Sequence, residues 1–62
     1  MRALIHEIIV ADEGCSTGKT YDVPELDEEL DRLDQSGLIF TVTGSAPDPE
    51  IDGIHVWITF FI

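Results

Sequence analysis

The sequence predicts an α+β fold, a single helix packed on an antiparallel-rich sheet, with elements in the order strand-strand-helix-strand-strand. Three observations carry that expectation. The first and last segments alternate in β-branched and aromatic residues. A leucine stripe with helical spacing lies between them, and clusters of Gly, Pro, Asp and Ser separate the pieces. The 62 residues suit one domain, 1–62, with a thin core, because a chain this short buries only about 60% of its unfolded surface.

Residues 3–11 (ALIHEIIVA) read as a strand buried on much of both faces. Residues 12–18 (DEGCSTG) are turn chemistry, and residues 19–23 run back as a short second strand, making an N-terminal hairpin. A helix start follows: Asp22 as a capping residue, Pro24 in the first turn and Glu25 three positions after the Asp. Gly37 marks its end. Between them Leu26, Leu30 and Leu33 fall at i, i+4 and i+7, one narrow apolar stripe on an otherwise polar helix of about three turns. Residues 38–43 (LIFTVT) and 54–62 (IHVWITFFI) are strands, separated by a loop over 44–53 that holds two prolines and two glycines. On the last strand Ile54, Val56, Ile58, Phe60 and Ile62 share one face, and His55, Trp57, Thr59 and Phe61 share the other. The aromatic face needs cover. A second copy of the chain is the expected cover, with Ile39 nearby; the alternatives are a gripped target or packing under the first hairpin.

Thirteen acidic residues stand against three basic ones, a formal charge of -10. Such a charge opposes compaction and argues against direct binding to nucleic acid or to an anionic membrane; any electrostatically steered partner is basic. With 44% hydrophobic residues the chain is nonetheless too apolar to be disordered. The one cysteine, Cys15, suits a reducing cytoplasm, and no apolar run reaches the length of a membrane span or resembles a signal peptide. Cys15, His6 and His55 lack metal-site spacing, so neither a metal nor another cofactor is expected.

Catalysis is not expected either. Residues 14–20 (GCSTGKT) fall one residue short of a phosphate-binding loop, and a strand pattern follows where that loop needs a helix. His6 and His55 sit inside strands with no nucleophile or carboxylate matched to them, which reads as a structural role. Asp12 and Glu13 beside Cys15 raise a thiol pKa and so disfavour a nucleophile.

The helix region concentrates the charge in Asp22, Glu25, Asp27, Glu28, Glu29, Asp31 and Asp34, with Arg32 four residues after Glu28 as the only relief. At about 100° per residue, Asp27, Asp31 and Asp34 flank one side of the leucine stripe, Glu25 and Glu29 flank the other, and Glu28 points outward. Spacings of three and four residues set carboxylates roughly 4.5 to 6 Å apart along the axis, comparable with the charge spacing of a nucleic-acid strand. Such a row suits occupation of a basic DNA-binding groove; a merely solvating face is the alternative.

Residues 17–19 (TGK) before a strand, then Val23-Pro24-Glu25 with Glu28-Glu29-Leu30 entering an acidic helix, and Ser45-Ala46-Pro47 before a Trp-containing strand, resemble the bacteriophage uracil-DNA glycosylase inhibitors. The resemblance spans residues 17–58 and implies a DNA mimic that helps a phage evade host defence. In that family carboxylates stand in for phosphates, and an apolar pocket captures the side chain that the glycosylase wedges into the duplex. Glu25, Glu28 and Glu29 inherit the acidic role, and Leu26, Leu30 and Trp57 are candidates for the pocket, although Asp27 falls where the family has an apolar residue. The expected partner-binding set is thus Glu25, Leu26, Asp27, Glu28, Glu29, Leu30, Asp31, Asp34 and Trp57. The expected partner is uracil-DNA glycosylase. Alternatives are an anti-CRISPR or anti-restriction role at another nucleic-acid groove, or a regulatory interaction module.

Overall fold

The computed structural model describes residues 2–10 and 16–61. Its elements are β1 (Arg2–Val10), β2 (Ser16–Val23), α1 (Leu26–Gln35), β3 (Ile39–Asp48) and β4 (Gly53–Phe61). The four strands form one sheet in the order β2-β1-β4-β3. Each outer pair is an antiparallel hairpin, and the central pair β1 and β4 is parallel, with Ala3 opposite Ile54 and Val10 opposite Phe61. The α+β class and element order are as the alternation predicts. The sheet is mixed because α1 carries the chain from one edge, β2, to the other, β3, so that the second hairpin lays β4 alongside β1.

The helix covers one face. There Ala3, Ile5, Val56, Ile58 and Phe60 point inward, Val23 closes one end, and Leu33 reaches down from α1. Leu26 and Leu30 pack half-buried against the same cluster, so the leucine stripe does what its spacing predicts. Central strands buried by a helix on one side need apolar residues at every second position, and β4 supplies them at 54, 56, 58 and 60.

Three boundaries differ from the sequence expectation. The helix begins at Leu26 with Glu25 as N-cap and no side-chain cap bond, because Asp22 is still in β2, where it accepts from Arg2 Nε at 3.0 Å, and Val23 is buried. The strand ladder outcompetes the cap: Val23 pairs with Ala3 and must stay extended. Likewise β3 runs through Gly44, Ser45, Ala46 and Pro47 to Asp48, where composition predicts a loop. A register shift between Val42 and Gly44 absorbs one extra residue, and β3 is an edge strand, so the missing amide hydrogen of Pro47 leaves no ladder bond unmade. The helix end is as expected, with Gly37 at φ 81° and its N–H on the Asp34 carbonyl at 3.2 Å. The predicted turn at Asp12, Glu13, Gly14 and Cys15 lies outside the described residues, and Ser16, Thr17 and Gly18 belong to β2.

Candidate functional site

The two faces of this slab offer different chemistry. On the helical side Asp27, Glu28, Asp31 and Asp34 are exposed, and none of them is in an ion pair among the described residues. Glu25 is exposed at the N-cap. Glu29 differs. It is half-buried and bonded to Arg32, whose Nε donates to it at 3.2 Å, so Arg32 relieves Glu29 rather than Glu28. The guanidinium holds the Glu29 carboxyl below the usual carboxylate range, and the arginine pKa rises in return.

Glu29 also approaches the sheet. The Tyr21 hydroxyl donates to Glu7 at 2.9 Å and lies 3.3 Å from Glu29, so one phenol bridges β1, β2 and α1. Burial, then the two carboxylates with Glu7 foremost, pushes the Tyr21 pKa well up from its ordinary value. Lys19 sits over the same ring, 5.0 Å from its centroid. This cluster fixes how α1, and hence its outer carboxylates, is carried on the sheet.

Beside the C-terminal half of α1 lies a pocket of about 230 Å³, formed by Ile9, Leu33, Leu38, Phe60 and Phe61 with Glu7 and Arg32 at its polar side. The grouping of Leu26, Leu30 and Trp57 as a pocket does not hold. The two leucines face the core from α1, whereas Trp57 lies on the opposite face of the sheet, because it alternates with Val56 and Ile58 along β4. Leu33, Leu38 and Phe60 line the apolar hollow beside the helix instead. Leu38, exposed just after the helix-ending glycine, was the readable signal for it.

Among the described residues no helix lies over the open face of the sheet. Leu4, His6, Ile8 and Val10 of β1 lie there with His55, Trp57, Thr59 and Phe61 of β4. The first hairpin is part of the same sheet, which removes the reading in which it covers the aromatics. Ile39 pairs with Phe61, as the strand pattern suggests.

Across this face runs a chain of side-chain bonds, one residue from each strand. Asp48 Oδ2 lies 2.8 Å from His55 Nε2, His55 Nδ1 lies 2.8 Å from His6 Nε2, and His6 Nδ1 lies 3.2 Å from Thr20 Oγ1. The hydrogen bond from His55 holds the Asp48 carboxyl below its ordinary pKa, so Asp48 accepts. With neutral rings the remaining polarity follows: His55 donates to Asp48, His6 donates to His55, and the Thr20 hydroxyl donates to His6. The Trp57 ring stacks on His6 at a centroid distance of 4.9 Å. The expectation that no carboxylate is matched to the histidines is thus overturned for His55, which meets Asp48. The two histidines lie far apart in sequence and meet only because β1 and β4 are neighbours. Among the described residues no group of three or more His, Cys, Asp or Glu is placed to hold a metal ion, and no helix is long and apolar enough to cross a membrane.

Comparison of the chain with protein-family models, with curated proteins and with solved structures finds no match.

Proposed function

We propose that the chain is a DNA-mimic inhibitor that occupies the basic DNA-binding groove of a nucleic-acid enzyme, with uracil-DNA glycosylase as the target. The observation that carries this reading is the row Asp27, Glu28, Asp31 and Asp34, exposed on a ten-residue helix with no ion-pair partner among the described residues. A short chain that concentrates like charges on one helix face accepts a few tenths of a kcal/mol of repulsion per neighbouring pair, which a basic groove reverses. The apolar hollow of Leu33, Leu38 and Phe60 beside that row supports the second half of the mechanism, since a wedging aliphatic side chain finds cover there. Glu25 extends the row at the N-cap, and Glu29 serves as the strut that orients it. Binding involves no chemistry on the inhibitor's side.

The test is uracil excision by a purified bacterial glycosylase with equimolar protein at several salt concentrations. Stoichiometric inhibition that weakens with salt is expected, and Glu28→Lys with Asp31→Lys abolishes it while the circular dichroism stays unchanged. If inhibition survives both reversals, the mimicry reading is wrong. Absence of inhibition by the unaltered chain at low salt removes this target and directs the same row to another basic groove, such as that of a CRISPR or restriction effector.

A further inference from the structure

The acidic helix leaves the other side of the molecule unaccounted for, and its composition is different. The open face holds Ile8 at 38% exposure, Phe61 at 50% and Ile39 at 71%, with Val10 and Trp57 half-buried between them. At one corner Arg2 is paired with Asp22, and at the opposite edge Asp48 is paired with His55. With a neutral His55 ring, Asp48 leaves a single net negative charge on this face among the described residues, against the row of carboxylates on the helix. A strongly charged partner of either sign therefore finds little to recognise here. What the face offers is an apolar band of Ile8, Val10, Trp57, Phe61 and Ile39, bordered by uncharged Thr20, Thr41 and Thr59, that a second copy of the same sheet can cover.

We propose that two copies of the chain pair through this face, sheet against sheet, about a two-fold axis. Charge gives the first argument. A chain carrying -10 resists meeting a copy of itself unless the acids are kept apart. In a sheet-on-sheet dimer the two helices lie outermost, separated by one sheet spacing of about 10 Å and two helix layers of about 10 Å each. Their outer carboxylates are then about 30 Å apart, several times the screening length of about 8 Å at physiological salt. Pairing through the helical faces would instead bring the two rows of acids together.

Area gives the second. Four strands about 4.8 Å apart, with nine residues rising about 3.3 Å each in β1, present a face of roughly 550 Å². Two such faces bury roughly 1,100 Å², which clears the area of about 1,000 Å² that specific interfaces need. A two-fold contact is also the commonest way in which identical surfaces close. The dimer covers the chain from Thr20 through His6 and His55 to Asp48, all of whose ring nitrogens are already bonded, so burial leaves none of them unsatisfied. The arrangement leaves both acidic helices facing outward, one on each side, and does not depend on what they bind.

Sedimentation equilibrium over a dilution series, followed in parallel by Trp57 emission, tests the pairing. The expected result is twice the chain mass at high concentration and a red shift of the emission on dilution. Ile39→Asp and Ile8→Asp each place a charge on the buried face and should weaken the dimer at least roughly 100-fold while the far-ultraviolet circular dichroism of the monomer is kept. Ile39 is the safer probe, because at its exposure the substitution costs the monomer little. Asp31→Lys on the helix leaves the dimer intact. A chain that stays monomeric up to about 1 mM, or an Ile39→Asp variant as dimeric as the parent, overturns the proposal. So does dissociation by Asp31→Lys, which locates the contact on the helix instead.

Discussion

Replacing Tyr21 by Phe removes one oxygen from the point where hairpin and helix are tied. The hydroxyl donates to Glu7 at 2.9 Å with Glu29 at 3.3 Å, and Glu7 is half-buried on the helix side of the sheet. Hydrogen bonds to charged groups contribute about 1.5 to 3 kcal/mol, and the lower end applies to a half-buried tyrosine. Tyr21→Phe should therefore lose about 1.5 kcal/mol. For a domain of this size that is a fall in Tm of about 6 to 12 °C. Urea titration at one fixed chain concentration is the assay, since self-association would make the midpoint depend on concentration. A double-mutant cycle with Glu7→Gln isolates the bond: once Glu7 is neutral, removing the hydroxyl should matter about half as much. A loss under about 0.5 kcal/mol, the range of ordinary surface substitutions, would refute the strut and with it the account of how α1 is oriented.

Two further outcomes follow from the geometry. At Gly53 a Cβ would overlap the Arg2 backbone carbonyl where β4 meets β1, so Gly53→Ala should destabilise by about 2 kcal/mol or more, read from the same urea titration. Glu29 and Asp48 both have carboxyls held below their ordinary values, by Arg32 and by His55. Their contribution is complete above the unfolded carboxylate pKa of about 4 and is lost as pH falls through the folded values, so acid titration of stability should decline below about pH 4. Arg32→Gln should flatten the Glu29 part of that decline, and a stability profile that is level from pH 5 to pH 2 contradicts it.

Much of the architecture was readable because alternation reports faces directly. It placed Val56, Ile58 and Phe60 in the core and Trp57 and Phe61 outside it, and the leucine spacing placed Leu33 under the helix. Alternation is silent about which strand lies beside which. The parallel neighbourhood of β1 and β4 therefore stayed hidden, and with it the contact between His6 and His55, which are 49 residues apart. Composition misled at residues 44–47, where Gly and Pro suggest a loop but an edge strand with a bulge accommodates both. At Asp22 local capping chemistry lost to a ladder made with residues far back in the sequence. On the helix, charge counting could not separate Glu29, turned toward Tyr21, from its exposed neighbours, because that distinction depends on where β2 runs.

The central β1–β4 ladder also says how the chain must come together. Each hairpin joins strands close in sequence, and an isolated two-stranded hairpin is marginal in water. The ladder that unites them closes a span of roughly 50 residues and meets its entropy only when both apolar faces are buried at once. Neither half is rewarded before the other arrives, so folding should be all-or-none, limited by that single long-range encounter. The same logic makes the chain divisible: severed after Gly37, it yields one piece with β1, β2 and the helix and another with β3 and β4. Each would be unfolded alone, and the two would reassemble through the parallel seam, so that joining the halves becomes a measure of the seam's own strength.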